Sequence, residues 1–392
     1  MSVLASPLLD PDDSPLDARQ RAVVQQVSDA ERAHILALPT NDPLDAKLRR
    51  RVLATGPELF GQPVAIRSTL QLNAIPLDAI ADRLVAGIDR VVLVGCGDSL
   101  AVMVAARQAL QSMLGVPCEA VQSLEYAYYR ADLSGAGTAV IALSSSGETT
   151  RTVEALLMAQ NRGSYTVAIT NTAGSTLQTE ANTALKIEAT RVGWPTQSST
   201  AALALLLELA IRVGERRVPA LAADLRVAFD ALPEAMVGVL DRLDPVFSDI
   251  AGDEVSADVR NVLFSGAGPN LASAMVGAAK VKECTTLHAV EIQVEEYHHY
   301  NSQKAGEPLF LLAPSGPSIS RSVDTGRDAL RWGGRLYVLT TEGERAFDEL
   351  DGRVIGLPTV PESLSPLLYL LPAQLIGYHL GLQAYAAAAV DG

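Results

Sequence analysis

The chain is short of positive charge. Its 392 residues carry 31 Lys and Arg against 45 Asp and Glu, a formal net charge of -14, and repulsion of this sign argues against nucleic acid and against an anionic membrane as partners. Any anionic ligand must then be held by local dipoles and short donors. Cysteine is also scarce: Cys96, Cys118 and Cys284 are an odd number without metal-like spacing, which describes buried free thiols in a reducing compartment and not a disulfide framework. The N-terminus has Asp10, Asp12 and Asp13 where a secretory signal would need a basic segment followed by an apolar one, so a cytoplasmic location is expected. Asp, Glu, Lys and Arg are missing altogether from Ser363 to Val390, a superficial likeness to a membrane span. Pro366, Pro372, Gln374, His379 and Gln383 interrupt that stretch and predict instead a buried or interface helix closing the second half.

What is present is alternation. The length suits two or three domains of ordinary size. Residues up to Pro43 mix Pro, Asp and Ser around one amphipathic pattern, Ala18 to Leu38, and read as a loosely attached extension. From Lys47 to Leu70 the spacing is helical, with restarts expected at Gly56-Pro57 and Gln62-Pro63. Strand-like runs then recur at Arg90 to Val94, Thr138 to Leu143, Tyr165 to Thr170 and Ala184 to Ile187, with helical patterns between them, which predicts a parallel sheet covered on both faces. The pattern repeats at nearly one offset. Val92 to Ala101 has a counterpart in Val262 to Ala272, Leu143 to Gly147 in Pro314 to Gly316, and Gly163 to Thr170 in Gly334 to Thr340. Three motifs in one order predict two copies of one α/β domain, joined by a helix between Ala220 and Asp258. The expected division is an extension over 1–45, a first domain over 46–235 and a second over 236–392.

In the first copy the apolar run Val140 to Leu143 ends in Ser144, Ser145, Ser146, Gly147, Glu148, Thr149 and Thr150. Such a turn aims backbone N–H groups and hydroxyls at one point, and a helix following from Thr152 would add its positive end, so the stretch reads as a cradle for phosphate. A Ser-x-x-Glu capping box at Ser145 and Glu148 accounts for the same residues equally well. The second copy has Pro314, Ser315, Pro317 and Ser318 at comparable points, so only the first looks built for phosphate. Both copies open a helix with Gly-x-Gly, but neither completes Gly-x-Gly-x-x-Gly, and a dinucleotide site is excluded.

A second constellation follows in the other copy: Lys280, Lys282 and Glu283, then His288, Glu291, Glu295, Glu296, His298 and His299. Moving a proton between adjacent sugar carbons needs a carboxylate, and opening the ring needs a second acid or base such as histidine. A solvated helix face, with Glu283 paired to Lys280 or Lys282, and a core histidine at 288 explain the spacing as well. A metal is not expected, because adjacent helical histidines diverge by about 100° and no His-Glu-x-x-His is present.

Gly-Cys-Gly-x-Ser at Gly95 to Ser99, Ser-x-Ser-Gly-Glu-Thr at Ser144 to Thr149 and Lys-x-Lys-Glu at Lys280 to Glu283, within Glu58 to Gln383, resemble the sugar isomerase (SIS) domain family. The likeness is to the two-domain isomerase half of glucosamine-6-phosphate synthase and its deaminase and deglycase relatives. The resemblance implies an α/β fold of two tandem SIS domains, each a parallel sheet flanked by helices on both faces in a flavodoxin-like three-layer sandwich. It implies that Ser99, Ser144, Ser145, Ser146 and Thr149 hold a substrate phosphate. Glu283 would shuttle the C1–C2 proton, Lys280 would lie near the reacting sugar, and His299, supplied by the neighbouring subunit of a homodimer with shared active sites, would open the ring. No cofactor is implied.

The sequence departs from that pattern at five points. No glutamine-hydrolysing domain precedes the first sheet, so glutamine is not expected as nitrogen source. The chain stops at Gly392 after Ala386 to Ala389, without the synthase's lysine-bearing tail, so ring opening through a Schiff base at that lysine is not expected. Arg191 stands where the synthase has an acid, which favours an anionic substituent. Asp98 replaces a hydroxyl residue beside the cradle, where it would bind a sugar hydroxyl or amine or pair with Arg191. His298-His299-Tyr300-Asn301 replaces a histidine followed by Gly-Pro and makes His298 a rival ring opener. The expected activity is isomerisation coupled to C–N cleavage or formation on an amino-sugar or aminoacyl-sugar phosphate. A catalytically silent sugar-phosphate sensor and an enzyme for an unusual, even non-phosphorylated, substrate are the alternatives.

Overall fold

The computed structural model describes residues 14–37, 46–300 and 302–388. Asn301 and the remainder of the expected extension and tail, 1–13, 38–45 and 389–392, lie outside the described residues.

The chain enters through α1 (Ala18–Leu36), α2 (Ala46–Phe60), α3 (Gln62–Leu72) and α4 (Ala74–Val85). The first sheet follows as β1 (Arg90–Gly95), α5 (Asp98–Leu114), β2 (Cys118–Gln122), the one-turn α6 (Ser123–Glu125), β3 (Thr138–Leu143), α7 (Thr150–Asn161), β4 (Tyr165–Thr170), the short α8 (Thr176–Glu180) and β5 (Thr183–Lys186). Its order is β2-β1-β3-β4-β5 and every pairing is parallel. β3 is buried at all six positions, as a strand covered on both faces must be, and its continuous apolar run is what made it legible. β2, Cys-Glu-Ala-Val-Gln, went unread: it is an edge strand that carries a half-buried Glu119, paired with Arg90 and Arg130, and an exposed Gln122, so no apolar run marks it.

Two long helices lead to the second half, α9 (Gln197–Arg217) and α10 (Pro219–Ser256). The second sheet comprises β6 (Asn261–Gly266), α11 (Leu271–Cys284), β7 (His288–Gln293), β8 (Pro308–Ala313), α12 (Ile319–Arg331), β9 (Arg335–Thr341) and β10 (Arg353–Leu357), and α13 (Pro366–Ala388) follows. Its order, β10-β9-β8-β6-β7, is that of the first sheet read from the other edge, again all parallel. The fold is therefore α/β with two tandem domains, each a parallel sheet flanked by helices. One hydrophobic core runs from Leu93 and Ile141 under the first sheet, through Leu203 to Leu207 of α9 and Phe247 of α10, to Phe264 and Phe310 under the second and Leu371 of α13. The uncharged C-terminal stretch is thus an interior helix, laid on α11, α10 and α2. No helix among the described residues is long and apolar enough to cross a membrane.

Three local expectations need correction. α1 is not loosely attached: Leu16 and Val24 are buried in the core beneath α7, and Arg19 makes a two-pronged ion pair with Glu180. α2 does not restart at Gly56-Pro57 but runs through to Phe60. Gly56 serves packing instead, since a Cβ there would lie 2.4 Å from the Tyr378 hydroxyl of α13. The capping box at Ser145 and Glu148 does not form, because α7 begins at Thr150 and the Glu148 carboxylate accepts from the N–H and hydroxyl of Thr176.

Candidate active site

In the first sheet the chain turns one way from β1 to β2 and the other way to β3, so the carboxyl ends of β1 and β3 border the crevice where open α/β sheets bind ligands. The β1–α5 turn brings Cys96 to Ser99 there, and the β3–α7 loop brings Ser144 to Thr149. They line a cavity of about 320 Å³, closed on other sides by Arg191, Ser198 and Ser199 and, from α11 of the second half, Ala279 and Glu283.

The hydroxyl loop holds itself in shape. Ser144 Oγ lies 2.9 Å from Thr149 Oγ1 and 3.2 Å from Ser146 Oγ, and it accepts the Gly147 N–H at 3.0 Å. Gly147 takes φ 71°, and a Cβ on it would fall 2.0 Å from Ser175 Oγ, so only glycine closes this turn. Ser145 and Ser198, in contrast, each bury an Oγ with no hydrogen-bond partner. Both line the cavity. Buried hydroxyls are normally satisfied, so these two residues of the cavity wall keep unspent hydrogen-bonding capacity.

Beside the loop lies a charged group that the two halves build together. Lys280 of α11 is 1% exposed and donates to Asp98 Oδ2 of α5 at 2.8 Å and to Glu283 Oε2 through a short hydrogen bond. Burial alone would lower the Lys280 ammonium, but the two carboxylates outweigh it and hold it above its ordinary value. Burial, with Asp98 adding to it, pushes the Glu283 carboxyl above its ordinary value, against Lys280. Asp98 does not pair with Arg191, as the sequence allowed. Arg191 instead donates to the Ser145 carbonyl at 3.0 Å, bracing the hydroxyl loop from outside.

The dense titratable segment after α11 does not converge on the cavity. His288 and Glu291 lie on β7 and are exposed, Glu291 near Lys282 at 3.9 Å. Glu295 pairs with Arg321. His298 is held with Nδ1 2.9 Å from Asp328 Oδ2 and Nε2 3.0 Å from Thr325 Oγ1, so both ring nitrogens are already engaged within the second half. His299 is exposed and 3.5 Å from Glu295, and it does not line this cavity. Among the described residues no group of three or more His, Cys, Asp or Glu is arranged to hold a metal.

Sequence reasoning missed Ser198, Ser199, Trp194 and Arg51. Arg51 of α2 stacks 3.6 Å from the centroid of the Trp194 ring. Glu58 of the same helix accepts the Val192 N–H at 2.7 Å and the Gly193 N–H at 3.2 Å, fixing the loop that carries Arg191 and Trp194. The one available signal was the polar run Thr196 to Thr200 ahead of an apolar helix.

A hydroxyl loop at a sheet switch point, faced by a carboxylate from a second, like-ordered sheet, defines a tandem α/β protein with one ligand crevice shared between its halves. Residues 84–212 match the SIS domain, and the chain belongs to the SIS domain family. Glutamine–fructose-6-phosphate aminotransferase (isomerizing) of Yersinia pseudotuberculosis is 31% identical over 339 residues, 83% of this chain and 55% of that protein. The Escherichia coli K12 protein of the same name is 28% identical over 344 residues. The chain thus spans about half the length of the curated relatives it matches. Among solved structures, the C-terminal domain of glucosamine-fructose-6-phosphate aminotransferase from Francisella tularensis shares the fold with a TM-score of 0.75 at 21% identity, over 83% of this chain and 94% of that one. Tagatose-6-phosphate ketose/aldose isomerase from Escherichia coli shares it with a TM-score of 0.66 at 18% identity, over 84% and 94%.

Proposed function

We propose that the protein is an enzyme that isomerises a phosphorylated sugar and couples that step to cleavage or formation of a C–N bond, on an amino-sugar or aminoacyl-sugar phosphate. The observation that carries this reading is that the hydroxyl loop and the Glu283 carboxylate open onto one cavity. The names of the relatives, which act on fructose 6-phosphate or are ketose/aldose isomerases, support the same class.

In this reading Ser99, Ser144, Ser145, Ser146 and Thr149 hold the phosphate, helped by the N-terminus of α7. Ser145 and Ser198 gain the partners they lack. Glu283 takes a proton from C1, next to the ketose carbonyl, and returns it to C2, the carbonyl carbon, while a hydroxyl proton passes from O1 to O2, exchanging ketose for aldose. Where C1 bears nitrogen, the product is a C1=N imine that adds water and releases the amine, or forms by the reverse. A carboxyl held above its usual range is suited to such a proton shuttle near neutral pH. Lys280 lies behind Glu283 and positions it. Asp98, already paired with Lys280, adds no unpaired charge beside the phosphate. His299 opens the ring in the site of a second copy, a role its exposed setting supports.

The test is proton exchange from D₂O into fructose 6-phosphate and glucosamine 6-phosphate. Glu283→Gln should slow exchange by roughly 10²- to 10⁴-fold with binding retained. His299→Ala should be impaired likewise, and mixing the two variants should restore about a quarter of wild-type activity through mixed dimers. Full activity in Glu283→Gln sinks the shuttle, and no gain on mixing sinks the shared site.

A further inference from the structure

The second half builds a crevice of the same design. Its sheet places β6 between β7 and β8 as the first places β1 between β2 and β3, so the carboxyl ends of β6 and β8 border a second switch point. The turn after β6 repeats the turn after β1, with Gly268 at φ 54° and Gly97 at φ 56°. Across from it runs the loop from β8 to α12, and α12 begins there as α7 does in the first half. Its N-terminal dipole would favour an anion.

The third wall reverses the charge. Arg191 follows β5 by five residues, and Glu362 follows β10 by five. Arg191 reaches across to the loop after β3, where it donates to the Ser145 carbonyl. Glu362 reaches across to the loop after β8: its Oε2 lies 3.1 Å from the place of a Cβ on Gly316, and its Oε1 3.4 Å from that of a Cβ on Gly268. The carboxylate therefore stands between turn and loop. It is half-buried, burial alone holds it above its ordinary value, and it has no hydrogen-bond or ion-pair partner among the described residues. An unpaired carboxylate withdrawn from water costs stability, and such departures from local rules concentrate at functional positions.

We infer that Glu362 closes the second crevice to anions, so that each chain takes one sugar phosphate, at the first sheet. This rests on the reading of the first crevice as the phosphate site. A phosphate entering between Gly268 and Gly316 would meet the Glu362 carboxylate with no cation between them, and like charges repel strongly in a partly buried place. Two copies of one crevice are thus told apart by the sign of one side chain.

Equilibrium dialysis with labelled fructose 6-phosphate, and in parallel with inorganic phosphate, counts the sites. Wild type should bind one equivalent of fructose 6-phosphate per chain. Glu362→Gln removes the charge at equal size, and Glu362→Arg installs the sign present at position 191; each should take up a second equivalent of inorganic phosphate, at least tenfold tighter in the Arg variant. Two equivalents of either probe in wild type would show the crevice already open and overturn the inference. One equivalent in both variants would overturn it too, since something other than Glu362 would then close the crevice. A wild type that binds no fructose 6-phosphate refutes the parent reading instead, and the inference then falls unless Glu362→Arg gains an equivalent of inorganic phosphate over wild type.

Discussion

Lys280 Nζ stands 2.8 Å from Asp98 Oδ2, so the first helix of the second sheet is tied through a buried ion pair to the first helix of the first. Glu283, one turn further along α11, shares the same ammonium. The placing of the Glu283 carboxylate at the cavity and the stability of the domain contact therefore depend on one nitrogen.

Removing that nitrogen should be costly. Lys280→Met leaves two carboxylates facing each other in a dry contact, and breaking a buried pair by deleting one partner costs about 3–5 kcal/mol. Urea unfolding should show a loss of that order, and further changes of Asp98→Asn and Glu283→Gln should recover most of it. A loss under about 1 kcal/mol would contradict the burial assigned to the pair.

The pH dependence has a definite sign. Glu283 must be ionised to accept a proton, and its carboxyl is held above its ordinary value by burial, with Asp98 adding to it. The acid limb of kcat/KM should then lie above the usual carboxylate range, near 4.3, and Asp98→Asn should move it to lower pH by removing the like charge. Stability follows the opposite course. With the folded value raised, the native state binds more protons than the unfolded one, so the Glu283 contribution falls as pH rises from its ordinary to its raised value. Glu283→Gln should flatten that part of the stability profile, and an Asp98→Asn limb shifted upward would refute the assignment.

Gly147 offers a third check. Ala at 147 must adopt φ 71° and push against Ser175, whereas Gly174 has the same φ with nothing within 4 Å of a Cβ. Both Gly147→Ala and Gly174→Ala carry the backbone strain, roughly 1–3 kcal/mol. Only Gly147→Ala should also weaken fructose 6-phosphate binding tenfold or more by calorimetry. Equal binding in the two variants would detach the loop's shape from phosphate recognition.

Much of this was legible because it is local. β3 and β4 have the bounds their apolar runs predict, and the hydroxyl loop lies within one turn of chain. Asp98 was not legible: its partner is 182 residues away, and no periodicity announces a pairing across two sheets. Trp194 and Ser198 were missed for the same reason, since their placement depends on Glu58 and on the packing of α9, not on neighbours in sequence. His298 shows the converse, a residue whose proximity to His299 suggested chemistry until Asp328 and Thr325 were seen to occupy both its nitrogens.

Gly377 of α13 lies so close to α11 that a Cβ on it would sit 2.7 Å from the backbone carbon of Lys280. The helix that seals the lysine from water is thus made after every strand of both sheets has been synthesised. Until that helix is made, nothing of α13 stands between Lys280 and water. In the order of biosynthesis, the candidate site can be sealed only after the scaffold's strands are made, because its covering helix comes last.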